Sequence, residues 1–181
     1  MILYSCPTYK VAKWLVQKFE SLGPPDSFSA KNSYEAAKIL NGYKVEADEI
    51  LVSFDVVSLF SNVPMNDELT YLEEHLYEKS FLRGHDLATL IFLTEICMYN
   101  SHFQFRGNYY KLKDGVAKGN PLSPFLADVF MAHVEKELSK ERIFPRLWLR
   151  YVLNELCTFS SFFSNECNSY QSYEIYFKRS G

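Results

Sequence analysis

Gly115-Val116-Ala117-Lys118-Gly119-Asn120-Pro121-Leu122-Ser123-Pro124 is the stretch on which the fold turns. Glycine at 119 lets backbone come close to a ligand, and proline at 121 presets the turn that opens a helix. Beyond it, Leu122, Phe125, Leu126, Val129, Phe130 and Val134 recur at i, i+3, i+4, i+7, i+8 and i+12, which predicts a helix with one buried face. Upstream lies Ser53-Phe54-Asp55-Val56-Val57-Ser58-Leu59-Phe60, where an acid closes an apolar run. That run, Glu49 to Phe54, has the length and β-branching of a buried strand.

Working outward, Val11, Leu15, Val16 and Phe19 predict a helix from about Thr8 to Leu22, ended by Gly23-Pro24-Pro25. Asn32-Ser33 caps a second helix through about Leu40, which Asn41-Gly42 stops. After Pro64, Asn66 suits an N-cap, with Asp67 and Glu68 in a first turn where acids favour the helix dipole. Leu69, Leu72 and Leu76 mark that helix's buried face, and a more uniformly apolar helix covers about Asp86 to Tyr99. His102–Phe105 and Tyr109–Leu112, separated by Arg106-Gly107-Asn108, predict a hairpin. Its aromatics are of a kind that stacks bases, though in hairpins such residues more often pack on a core. Leu147 to Val152 reads as the last strand. Residues 153–181 follow no clean period; they are expected to form a divergent tail, frameshifted or poorly packed, after a body spanning 1–152.

Composition narrows the choices. At 181 residues, with 48% apolar content, Phe 15 and Tyr 13, the chain has material for one well-filled domain. Net charge is −3, from Lys+Arg 19 against Asp+Glu 22. That balance argues against strong autonomous nucleic-acid binding, which draws on neutralised phosphates, and leaves room only for a local basic groove. Cys6, Cys97, Cys157 and Cys167 lack CxxC spacing and read as reduced thiols, not a disulfide frame or zinc site. The apolar runs fall short of the roughly 18 residues that span a bilayer. With no signal peptide visible, the expectation is an intracellular protein, nucleus or cytoplasm undecided. His75, His85, His102 and His133 are dispersed and form no ligand pair.

The two opening stretches resemble motifs A and B of reverse transcriptases, most closely those of Penelope-like retroelements. Pro7-Thr8-Tyr9-Lys10-Val11-Ala12-Lys13, Phe103-Gln104-Phe105-Arg106-Gly107 and Tyr109-Tyr110-Lys111 are similar to the same family, so the likeness covers roughly residues 7 to 152. It implies an α+β fold, a polymerase palm (an antiparallel sheet with packed helices) plus partial fingers. It also implies RNA-directed DNA synthesis with Mg²⁺, an RNA/DNA primer–template and deoxynucleotides as partners. Residues 153–181 leave no room for the thumb that follows in the family. By this resemblance Asp55 is a catalytic Mg²⁺ ligand, Phe60 lies under the incoming sugar, and Lys118, Gly119, Asn120 and Pro121 brace nucleotide and template. Two departures stand inside motif B: the family has Met or Gln at the place of Lys118, and Ser at that of Asn120. Asp128 falls where it usually carries Asn.

Each of these residues also has a plainer reading. An Asp at a strand end often bonds local amides, and from spacing alone Phe60 is equally a core residue. The third motif decides more. The family follows a strand like Arg150-Tyr151-Val152 with two aspartates; this chain has Leu153 and Asn154. Two Mg²⁺ ions about 3.5–4 Å apart need several negative charges at one point. Leu153 offers no ligand, Asn154 no charge, and Glu155 sits one step late, where side-chain direction reverses. The expectation is a polymerase relative that is catalytically silent. The alternative is a non-catalytic nucleic-acid-binding or interaction module, and a third possibility is a chain that does not fold alone.

Overall fold

A computed structural model describes residues 8–23, 25, 28–56, 58–78, 87–113, 115–140, 144–151, 154–160 and 177–179. Helices and antiparallel strands alternate along the chain in an α+β arrangement. It divides into two compact units, Met1–Asp26 with Phe60–Val134, and Ser27–Leu59 with Glu135–Gly181.

The first unit is mainly helical. α1 (Tyr9–Ser21) buries Ala12, Leu15 and Phe19, the 3.6-residue stripe expected of it. In chain order the elements that follow are α2 (Ser33–Gly42), β1 (Glu49–Val56), α3 (Leu59–Asn62), α4 (Met65–Glu78), α5 (Leu87–Tyr99), β2 (His102–Phe105), β3 (Asn108–Lys111) and α6 (Ser123–Leu138). α5 packs against both α1 and α4. Phe125 on α6 stacks on Phe19, with ring centroids 5.1 Å apart, and Tyr71 on α4 stacks on His133. Leu72, Leu76, Leu122 and Leu126 are essentially inaccessible to solvent. Burying each contributes about 1.5–3 kcal/mol.

β2 and β3 form a separate two-stranded sheet joined by Arg106-Gly107. Both joining residues have positive φ (50° and 81°), the backbone of a tight turn whose twist matches the strands. The turn is thus shorter than the sequence suggests, because Asn108 already pairs with Phe105.

α4 corrects two expectations. It begins at Met65, so Asn66 lies inside the first turn instead of capping it, and its side-chain oxygen accepts a hydrogen bond from the Tyr99 hydroxyl. Glu68 is fully buried, not a solvated partner of the helix dipole. Neither of its carboxylate oxygens has a hydrogen-bond partner among the described residues. Removal from water raises its pKa well above the usual 4.5.

The second unit holds a four-stranded sheet. After α6 come β4 (Trp148–Tyr151), β5 (Asn154–Ser160) and β6 (Phe177–Arg179), and the strand order is β4-β5-β1-β6. All three pairings are antiparallel. The strand ending near Val152 is therefore not the last: β5 lies in the middle of the sheet. Its sequence carries little alternation; hydrogen bonding to a neighbour on each side supplies what its own pattern lacks. β1 runs on through Asp55 to Val56, beyond the end expected at Phe54.

Asn32 caps α2 as expected, its side chain accepting from the Glu35 amide at 2.9 Å. α2 continues through Asn41 and Gly42 before Tyr43 turns extended. Ala30, Ala36, Leu147 and Leu149 form the unit's core, with Leu40 and Tyr43 packed against them. The edge of β4 is held by residues 28–30: Ala30 donates to the Arg150 carbonyl at 2.8 Å, and the Arg150 amide donates to that of Phe28 at 3.0 Å. Within this edge lies a buried ion pair. Arg150 Nε donates to Glu135 Oε1 at 2.6 Å, both side chains about 1% exposed, and Glu135 Oε2 accepts from the Phe28 amide at 3.1 Å.

Arg150→Ala strands the Glu135 carboxylate in the core and should cost about 3–5 kcal/mol in urea unfolding. Replacing both partners, with Arg150→Met and Glu135→Leu, should cost about 1–3 kcal/mol, the amount expected for an unmet Phe28 amide. A second test uses pH. A raised carboxyl pKa in the folded state means that the folded chain holds more protons than the unfolded one. The penalty is absent below about pH 4.5 and grows as pH rises toward the folded value. Glu68→Gln should therefore raise the melting temperature at pH 7.5 and leave it nearly unchanged at pH 4.

Candidate nucleotide site

The loop before α6 is built on close backbone approach. Gly115 has φ +76°, and a Cβ there would lie 2.5 Å from the Phe60 carbonyl oxygen and 2.8 Å from two backbone atoms of Ser61. Val116 donates to that same Phe60 carbonyl at 2.7 Å. Glycine at 115 is what lets the loop lie on the segment that carries Phe60. Gly119, at φ +99°, turns the chain next to Lys118.

Hydrogen bonds then fix the turn into the helix. Ser123 Oγ donates to the Ala117 carbonyl at 2.7 Å, and the Asn120 amide donates to that carbonyl at 2.9 Å. The Asn120 side chain works in two directions: Oδ1 accepts from the Leu122 amide at 3.1 Å, and Nδ2 donates to the Cys97 carbonyl of α5 at 3.2 Å. An Asn at this position thus ties the loop to a neighbouring helix.

Around the loop is a hollow of about 320 Å³ in the first unit, lined by Phe60, Lys118, Gly119, Asn120 and Pro121 together with Tyr9, Lys13, Ser123 and Pro124. Phe60 and the four loop residues expected from sequence to brace a nucleotide all lie on its wall. Phe60 is half-buried. The Lys118 ammonium stands 6.0 Å from its ring centroid, at the outer limit of a cation–π interaction. Lys13 and Lys118 are both exposed. Two ammonium groups on long side chains beside an aromatic face suit a ligand with phosphate and a flat ring or sugar.

Tyr9 and Lys13 join the wall without having been expected there. They are far from the loop in sequence, and they sit off the apolar stripe that is the visible signal of their helix. Their presence in the stretch similar to Penelope-type sequence is the one available sign.

In the second unit, backbone register carries the information. Asp55 pairs directly with Asn154 across β1 and β5, and Asn154 pairs with Tyr151 across β5 and β4. Only residues 152 and 153 connect the two strands. Positions 153 and 154, where the resemblance expects two acids, thus fall at the end of the β4–β5 hairpin beside Asp55; Leu153 itself, the side chain of Asp55 and the side chains of 154–160 lie outside the described residues. By sequence, positions 55, 153 and 154 together offer one carboxylate, one amide oxygen and an aliphatic chain. That set does not fit a pair of Mg²⁺ ions, which needs several carboxylates. Among the described residues no cluster of three His, Cys, Asp or Glu is arranged to hold a metal, and no helix is long and apolar enough to cross a membrane.

Compared with known proteins, the chain matches no protein-family model and no curated protein. Solved structures do match. Apo telomerase from Candida tropicalis, truncated from its C-terminal domain, superposes with TM-score 0.61 at 16% identity, over 98% of this chain and 42% of that one. Telomerase from Candida albicans with a fragment of telomeric RNA gives 0.65 at 15%, over 95% and 33%. The Candida tropicalis enzyme with such a fragment gives 0.64 at 17%, over 95% and 32%. At these identities the likeness concerns fold alone: the chain shares the fold of the matched part of these telomerases and spans less than half the length of each.

The tightest constraint is at Gly115. Gly115→Ala drives a methyl into backbone that no side chain can vacate, at a φ that alanine disfavours. It should destabilise by about 1–3 kcal/mol or more in denaturant unfolding.

Proposed function

We propose that this chain is the palm and part of the fingers of a reverse transcriptase of the Penelope-like type, whose catalytic centre has lost two of its three carboxylates. It engages primer–template and deoxynucleotide and does not extend the primer. The observation that supports this reading is the backbone register of Asp55, which pairs with Asn154 of β5 on one side and Lys178 of β6 on the other, so that no acid stands directly opposite it. The Arg150-Tyr151-Val152 strand and the Gly119-Asn120-Pro121 loop support the same family. When bound to a complete centre, Mg²⁺ supplies charge stabilisation for attacking and leaving oxygens. What this chain's own residues do is narrower: Lys118 and Lys13 hold phosphate, Phe60 lies against the sugar or base, and the loop from Gly115 to Pro124 fixes where both sit.

A second reading, favoured by the two lysines of the hollow, is a module selected for binding alone. The two readings part on repair. Primer extension on an RNA template with Mg²⁺ should be absent for the unmodified chain and appear for Leu153→Asp with Asn154→Asp, then vanish again on adding Asp55→Ala. Extension by the unmodified chain would show that another carboxylate completes the centre. Binding without extension in both forms would favour the module.

A further inference from the structure

Cys97 lies fully buried in the last turn of α5 and holds two segments that are far apart in sequence. Its thiol donates to the Thr8 carbonyl at 3.7 Å. Its own carbonyl accepts from Asn120 Nδ2 at 3.2 Å and from Ser101 Oγ at 3.3 Å. That carbonyl is one of the last four of a helix, which the helix leaves for outside donors. Thr8 caps α1, whose Tyr9 and Lys13 line the hollow; Asn120 belongs to the loop that brings Lys118 to it. Both contributors to the lining are thus tied to one residue of α5, and all three segments belong to the first unit.

The connection at Asn120 needs an amide. Its oxygen meets the Leu122 N–H at 3.1 Å and its nitrogen meets the Cys97 carbonyl, so one orientation of the side chain satisfies both partners and the flipped one satisfies neither. Serine, which the resemblance expects at this position, has a single polar atom and is shorter. Aspartate keeps the acceptor for Leu122 and sets a second oxygen against the Cys97 carbonyl. The two departures in this loop therefore belong together: Lys118 adds a cation, and Asn120 anchors the loop that carries it.

We propose that Asn120 and Cys97 are positioning residues for the hollow. Through the loop on one side and Thr8 on the other, they hold Lys13 and Lys118 at a fixed spacing, so that both ammonium groups meet one triphosphate chain together. A lysine is a point charge on a flexible stem, and two of them act as a unit only when the backbones that carry them keep their distance. The inference rests on reading the hollow as a nucleotide site.

Two measurements on the whole chain test it. The first is calorimetric titration with dATP in the absence of divalent cation. In the unmodified background, the loss in Lys13→Ala with Lys118→Ala should fall short of the product of the two single losses by about threefold or more. In an Asn120→Ser background the single losses should multiply to within about twofold, because the lysines no longer act together. The second is residue-resolved amide hydrogen exchange without ligand. Asn120→Ser should speed exchange at Leu122 and also at Ala12, whose amide donates to the Thr8 carbonyl. Asn120→Asp should leave Leu122 slow and still speed Ala12. Cys97→Ala should speed Ala12, and Cys97→Ser, which restores a donor, should slow it again. Coupling of the lysines that survives Asn120→Ser overturns the proposal and leaves the nucleotide reading standing. If dATP does not bind the unmodified chain, the nucleotide reading falls, and with it the role of the two residues in holding phosphate. Ala12 exchange unchanged by either Asn120 variant overturns the proposal whatever the hollow binds, because it reduces Asn120 to a local turn residue.

Discussion

The second unit depends on one ion pair that its sequence does not advertise. Arg150 and Glu135 are both removed from water, so each has to satisfy the other, and neither can shift without exposing a buried charge. Glu135 also takes the Phe28 amide, and the Arg150 backbone takes and gives hydrogen bonds to residues 28–30. Three stretches distant in sequence are locked at one residue of β4. That residue lies one step before Tyr151, which pairs with Asn154, which in turn pairs with Asp55. Apart from the Phe28 amide that Glu135 also satisfies, a pair of this kind contributes little net stability compared with an apolar substitute; its effect is to disfavour other registers. Sliding β4 by one residue would turn Arg150 to the opposite face and leave Glu135 unmatched.

A second arginine of the same segment organises the start of β1. Arg146 meets Glu49 through two hydrogen bonds of 2.8 and 2.7 Å, Glu46 at 2.8 Å and the Lys44 carbonyl at 3.0 Å, over the face of Tyr43. The hydrogen bond from Arg146 holds the Glu49 carboxyl below its usual pKa. Arg146 and Glu46 are exposed while the Glu49 side chain is largely covered, so water and salt screen the cluster in part, and it orients side chains more than it adds stability. The two arginines thus play opposite parts, one fixing register in the dry core and one organising the surface where β1 begins.

The parts of the fold legible in sequence are those with a strong period or strong punctuation. α6 is written in six apolar residues and Pro121, α2 in its Asn32 cap, and the hairpin in Arg106-Gly107. What is not legible follows from partners the sequence does not display. Glu68 looks like an ordinary first-turn acid, and only the surrounding helices bury it. β5 looks patternless because its neighbours impose the strand. In the hollow, the loop and Phe60 are visible as motifs, whereas Tyr9 and Lys13 come from a helix whose polar face gives no reason to select them. The hairpin's aromatics read in sequence either as core or as surface; the exposure of Phe105, Tyr109 and Tyr110 decides for a surface at those three, and no periodicity could have told the two apart.

If the chain is a silenced polymerase palm, binding and catalysis separate along a physical line. Everything that lines the hollow is neutral or positive: aromatic rings, two ammonium groups, a backbone loop and small polar side chains. Such groups attract a nucleotide through its own negative charge and require no metal to do so. The chemical step has the reverse requirement, a concentration of carboxylates that repel one another until cations arrive. Losing two acids relieves that repulsion in the folded chain and leaves the hollow's residues untouched. On that reading, substitution at the end of the β4–β5 hairpin silences extension without unmaking either the sheet or the hollow. That asymmetry is why restoring two side chains at positions 153 and 154 is a reasonable repair to attempt, and why the loop built on Gly115 has no comparable tolerance.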